Sequence, residues 1–270
     1  MIEELYSIEQ ESYRDSIVHR LDARVKLIIT IAAIIAVVSF PFQQNLYLVS
    51  GGFLILLLIL FALSRTSVRT YLIRLAMILP FGFFIIVAQI FFQNPRYTEF
   101  TVLIDLPLGI AIYQESLLFA LMLTAKFIVC VSFIILLSGT TPMHDLLEGA
   151  ARLGLPAEFT LVLGMTIRYL FVFAVMYGYI QNALATRCFN AYNRMLPYRY
   201  RLSTIAYTIG TLFLRSFEQG ERTYMSMLCR GYGRSSHIYI TKKALSSTDR
   251  LACGIIMPFI IIFPLLVYLI

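Results

Sequence analysis

Apolar residues run along this chain in long blocks separated by short polar stretches, and the block length is the first informative quantity. Residues 25–42, 46–63, 72–92, 115–137 and 251–270 are almost wholly apolar. Each approaches the roughly 20 residues that an α-helix needs to cross about 30 Å of hydrocarbon, so the pattern predicts five transmembrane helices. Two further stretches read differently. Residues 157–180 are apolar nearly throughout. Around 203–217, in contrast, Leu202, Ile205, Ile209, Leu212, Phe213, Phe217, Tyr224 and Leu228 recur at mostly three- and four-residue spacing, with Ser, Thr, Arg and Glu between them. That spacing predicts an amphipathic helix with one wet face. Both stretches extend to helices of roughly 30 residues, about 45 Å long. Thr140-Thr141-Pro142 predicts the start of a short helix through Arg152, with threonine capping and proline in the first turn, and Gly154-Leu155-Pro156 predicts its end.

Composition agrees with a membrane protein: 59% of the residues are hydrophobic, only 14% are charged, and the mean hydropathy is +0.80. A water-soluble fold could not bury that much apolar surface. The fold class expected is therefore an all-α integral membrane protein. The polar first 24 residues are unlike a cleavable signal peptide and predict a cytoplasmic N-terminus in the plasma or inner membrane.

Charge then decides which blocks cross. Arg14, Arg20, Arg24 and Lys26 flank one end of the first two blocks, and Arg65, Arg69 and Arg74 flank the other, so both ends belong to the cytoplasm. The uncharged turn at 41–45 and the weakly charged loop 93–114 fit the outside. If 157–180 crossed alone, it would carry Arg187, Arg194, Arg199, Arg201, Arg215, Arg222, Arg230 and Arg234 to the wrong side. The two long helices are accordingly expected to be cytoplasmic or interfacial. Residues 1–138 then hold the N-terminal segment and four spans, 139–249 a coupling domain, and 250–270 the last span.

Candidate chemistry is sparse. Cys130, Cys188, Cys229 and Cys253 form no C-x-x-C spacing, and His19, His144 and His237 lie far apart, so neither a disulfide framework nor a metal site is expected. There is no H-E-x-x-H, Gly-x-Ser-x-Gly or phosphate-binding loop, hence no catalytic residue, cofactor or enzymatic activity is expected. A self-contained secondary transporter or channel is the alternative, but it calls for carboxylates or histidines at membrane depth. Glu115 sits at the edge of its span, and Lys126 reads as pairing with a neighbouring helix or snorkelling. The net charge of +7 is spread over the cytoplasmic segments, where anionic lipid and acidic protein grooves account for it better than nucleic acid. Arg194, Arg199 and Arg201, interleaved with Tyr192, Tyr198 and Tyr200, are placed at headgroup level.

Both long helices end on an arginine: Thr186-Arg187-Cys188 and Cys229-Arg230-Gly231. A terminal arginine balances the negative end of a helix dipole, and Gly231 supplies a left-handed stop. A guanidinium at a helix tip is also a planar fork suited to paired contacts with carboxylates in a partner's groove. The residues alone leave both readings open.

The chain resembles the transmembrane T component of energy-coupling factor (ECF) transporters, of the CbiQ type. The strings that carry the resemblance are His19-Arg20-Leu21-Asp22-Ala23-Arg24-Val25-Lys26-Leu27, Arg74-Leu75 leading to Leu79-Pro80-Phe81, Leu106-Pro107-Leu108-Gly109, Arg152-Leu153-Gly154-Leu155-Pro156, Arg168-Tyr169, and Glu221 through Tyr232. The resemblance implies a scaffold that joins a small substrate-binding membrane subunit to two cytoplasmic ATP-hydrolysing subunits, in cobalt or nickel uptake. It also implies two Ala-Arg-Gly-like motifs on coupling helices. The second falls on Cys229-Arg230-Gly231, which keeps Arg and Gly. The first falls on Thr186-Arg187-Cys188, which keeps Arg alone. These six residues are the expected partner-binding site.

Overall fold

A computed structural model describes residues 16, 18–43, 45–64, 66–91, 102–106, 110–191, 193, 195–233 and 246–269. Arg14, Arg65, Tyr192, Arg194, Arg234 and His237, invoked above for topology, headgroup placement or metal binding, lie outside them. The helices in chain order are α1 (Ala23–Ser39), α2 (Leu46–Ser64), α3 (Val68–Phe91), α4 (Gln114–Thr140), α5 (Met143–Arg152), α6 (Ala157–Thr186), α7 (Tyr198–Cys229) and α8 (Ser247–Leu269). The fold is helical, as expected, with one addition. Two strands, β1 (Val102–Leu106) and β2 (Ile110–Tyr113), pair antiparallel in the register Leu106↔Ile110 to Val102↔Tyr113, and Pro107, Leu108 and Gly109 of the string named above lie outside the described residues.

The chain divides into two compact units: a bundle drawn from 16–153 and 246–269, and a helical pair within 154–233. In the bundle, α4 packs against α1, α2 and α3, while α8 packs on α1 and α2. The core follows helical spacing. Val25, Ile29, Ala33 and Val37 line one face of α1, and Leu46, Val49, Phe53 and Leu57 line one face of α2; they meet Met122, Val129 and Phe133 of α4 and Ile260 and Val267 of α8. Phe53 and Phe133 pack edge to face with ring centroids 6.3 Å apart. Two glycines allow other close approaches: a Cβ on Gly52 would stand 2.3 Å from the Phe263 ring, and one on Gly82 would stand 2.3 Å from the Phe127 ring. Small residues at such contacts let membrane helices pack without a hydrophobic driving force between them.

Two lysines tie α1 and α4 together in opposite senses. Lys26, in the first turn of α1, donates to the Thr140 carbonyl at 2.9 Å, at the C-terminus of α4. Lys126, within α4, donates to the Val38 and Phe40 carbonyls at 2.9 and 2.6 Å, at the C-terminus of α1, and stands 4.1 Å from the centre of the Phe42 ring. Each cation satisfies carbonyls that a helix end leaves open and opposes the negative end of that helix's dipole. Both ammonium groups are buried. Lys126 therefore does not snorkel, and its partner helix is α1.

Five of the described helices are long and apolar enough to cross a membrane: α2, α3, α4, α6 and α8. The number equals the expected five, but α6 stands where α1 was expected. Phe40 turns extended (φ −65°, ψ 133°) because Pro41 follows it, so α1 stops after 17 residues. That is about 25 Å at 1.5 Å per residue. The opening of α5 also departs from expectation. It begins at Met143 with no side-chain cap, and the Thr140 hydroxyl donates back to the Leu136 carbonyl at 2.8 Å.

Candidate functional site

In the helical pair, α6 has 30 residues and α7 has 32, and α7 buries none of its side chains. The two meet where the Tyr169 and Thr223 hydroxyls lie 2.6 Å apart. An apolar groove of about 820 Å³ runs beside that contact, lined by Leu161, Met165, Phe173, Tyr224, Met227 and Tyr232 among others. Phe213, Leu214 and Phe217 remain largely exposed on α7.

The ends of α6 and α7 repeat one another atom for atom in their hydrogen bonding. At the end of α6, the Phe189 N–H donates to the Leu184 carbonyl at 3.0 Å and the Cys188 N–H to the Ala185 carbonyl at 3.0 Å. At the end of α7, the Tyr232 N–H donates to the Met227 carbonyl at 3.0 Å and the Gly231 N–H to the Leu228 carbonyl at 2.9 Å. Both are Schellman closures, in which a left-handed residue reverses the chain and satisfies the last carbonyls. Arg187 (φ −89°, ψ 18°) and Arg230 (φ −90°, ψ 7°) occupy the same capping position in each. The left-handed residues are Gly231 at φ 83° and Cys188 at φ 55°, the one described non-glycine residue with positive φ.

The structure thus gathers the expected site residues into two equivalent tips. Thr186, Arg187 and Cys188 are exposed at one, and Cys229, Arg230 and Gly231 at the other. None of the six lines the apolar groove. Reading the chain by residue identity understated the likeness, because Cys188 takes the backbone conformation that Gly231 makes easy. It also passed over Phe189, the aromatic that follows the first tip as Tyr232 follows the second. Aligning the hexads Leu184-Ala185-Thr186-Arg187-Cys188-Phe189 and Met227-Leu228-Cys229-Arg230-Gly231-Tyr232 on their arginines would have exposed both.

The chain is similar to known proteins over most of its length. The chain is 26% identical over 226 residues to an uncharacterised protein of Methanocaldococcus jannaschii, covering 83% of this chain and 74% of that one. It is also 26% identical over 230 residues to the energy-coupling factor transporter transmembrane protein EcfT of Lactococcus lactis subsp. cremoris, covering 81% of each. Residues 14–240 match the family described as CbiQ, cobalt transport protein. The match takes in both tips, the α6–α7 pair and most of the bundle, and the chain belongs to the CbiQ family of cobalt transport proteins.

Proposed function

We propose that this chain is the T component of an ECF-type importer, the membrane scaffold through which two cytoplasmic ATP-hydrolysing subunits act on a small substrate-binding membrane subunit. The observation that carries the reading is the pair of equivalent Schellman tips presenting Arg187 and Arg230. Two copies of one docking geometry suit two copies of one kind of partner. A guanidinium on a rigid helix end offers paired hydrogen bonds to a carboxylate, which a lysine would not. When the ATPase subunits close on ATP, their grooves move the tips, and α6 and α7 carry that motion as levers toward the substrate-binding subunit. On this reading α6 stays on the cytoplasmic side despite its apolar length, because the arginines beyond it favour that side. Cobalt, or nickel, is the proposed solute, and its selection belongs to the substrate-binding subunit.

A self-contained carrier draws little support. Among the described residues of the five apolar helices, the acids stand in first turns: Glu115, Glu158 and Asp249. The test is affinity purification of the tagged chain from native membranes in mild detergent, beside Arg187→Glu and Arg230→Glu. ATPase subunits are expected with the wild type and not with either variant. Recovery of the ATPase with both variants, or solute movement by the chain alone in vesicles, would overturn the reading.

A further inference from the structure

The described passages out of and back into the bundle, at the end of α5 and the start of α8, are both fastened to one residue, Asp22. The first passage follows α5, and there Arg152 stands 3.7 Å from the Asp22 carboxylate, with Glu148 paired to Arg152 one turn back. Gly149 presses α5 against the start of α1 so closely that a Cβ on it would meet the Ala23 Cβ at 3.1 Å and the Arg24 nitrogen at 3.2 Å. The second passage returns at α8, where Asp249 divides its two oxygens. One accepts from the Ser246 N–H at 3.0 Å, closing half of a Ser-x-x-Asp capping box, and the other accepts from the Asp22 N–H at 3.0 Å. Asp22 itself caps α1 through the Arg24 N–H at 3.0 Å and holds the Arg24 guanidinium at 3.2 and 3.3 Å.

This arrangement is more than a surface ion pair. The Asp22 and Arg152 side chains are 7% and 12% exposed, and Asp249 is 4% exposed. Removing one partner strands another in a buried setting, and that penalty exceeds the worth of any solvated salt bridge. The chain beyond the first passage is permissive by contrast: Gly154 sits at φ 113° with open space around it. A push on α6 and α7 would dissipate there if the passages were free.

We infer that the Asp22–Arg152–Asp249 clasp is the fulcrum through which movement of α6 and α7 enters the membrane bundle, with Asp22 and Arg152 as its positioning residues. Because the clasp holds the first turn of α1, the end of α5 and the start of α8 together, load at either passage reaches all three helices at once. The location of the clasp stands on the bundle alone, and its role in transport rests on the coupling function proposed above.

The test uses Arg152→Gln, Arg152→Lys and Asp22→Asn in the assembled transporter, read as solute taken up per ATP hydrolysed. Arg152→Gln and Asp22→Asn are expected to lower that ratio about tenfold in complexes that still assemble and hydrolyse ATP, a change of about 1.4 kcal/mol. Arg152→Lys is expected to recover most of it. An unchanged ratio, or uptake that falls only in step with the amount of complex recovered, overturns the inference. A second readout needs no ATPase: nitroxide labels on Cys188 and on Val68→Cys, with the other cysteines replaced by alanine. The distance distribution is expected to broaden with Asp22→Asn, and an unbroadened distribution overturns the fulcrum. Failure of the wild type to bind any ATPase would instead overturn the coupling function, while the label distances still decide the clasp.

Discussion

Four single positions carry consequences out of proportion to their size. Cys188 holds a left-handed backbone that costs an L-residue roughly 1–2 kcal/mol relative to glycine. Cys188→Gly should therefore tighten the end of α6, and Gly231→Ala should loosen the end of α7 by about 1 kcal/mol. Amide exchange at Phe189 and Tyr232 would read both, slowing in the first variant and quickening in the second. Lys126→Met leaves the Val38 and Phe40 carbonyls without their donor. A loss of about 1–3 kcal/mol is expected, seen as a lower melting temperature in detergent. At Asp22, burial opposes ionisation, but hydrogen bonds from Arg24 and the charges of Arg24 and Arg152 outweigh it and hold the carboxyl below its ordinary 3.8. The folded state thus favours the ionised form. Its contribution is fully present above pH 3.8 and is lost as the pH falls through the lower folded value. Acid unfolding of wild type beside Asp22→Asn should show a steeper loss in the wild type over that interval.

At the scale of elements, the informative contacts are those where a ring enters a gap left by a glycine. Gly52 of α2 faces Phe263 of α8, and Gly82 of α3 faces Phe127 of α4, each with room for a hydrogen and not for a methyl. Gly52→Leu should overpack that contact and cost about 1–3 kcal/mol, whereas Gly52→Leu with Phe263→Ala should recover part of it. Thermal unfolding of the single and double variants checks the coupling. The long helices behave differently, since α7 has no buried face to lose. Substitutions along Phe213, Leu214 and Phe217 should leave the stability of the isolated chain nearly unchanged and weaken assembly with a membrane partner.

At the scale of the whole molecule, the exposed thiols report directly on docking. Cys188 and Cys229 sit beside the two arginines and are exposed, whereas Cys130 and Cys253 are half-buried in the bundle. Rapid maleimide labelling of Cys188 and Cys229 is expected in the isolated chain, with both protected when ATPase subunits are bound. Protection of only one would mean that the tips do not serve equivalent partners. The tips match in their hydrogen bonding, which their residue identities only partly display.

Much of the helical fold was legible in the sequence, because block length answers to the bilayer and not to tertiary detail. Hydrocarbon thickness dictates runs such as 46–63 and 115–137, which α2 and α4 follow closely. The amphipathic spacing of α7 and the presence of Arg187 and Arg230 were equally plain. Other features depended on the folded chain. Pro41 shortened α1 and Lys126 found carbonyls rather than a carboxylate, both because backbone groups at a helix end must be satisfied by whatever the neighbouring helix offers. Cys188 adopted glycine's conformation because the closure of α6 demanded it, which no residue preference would suggest. Asp22, Arg152 and Asp249 lie far apart in sequence and became one clasp only when α1, α5 and α8 packed together. Periodicity and charge are local properties that a sequence displays; which donor meets which acceptor across helices is settled only by packing.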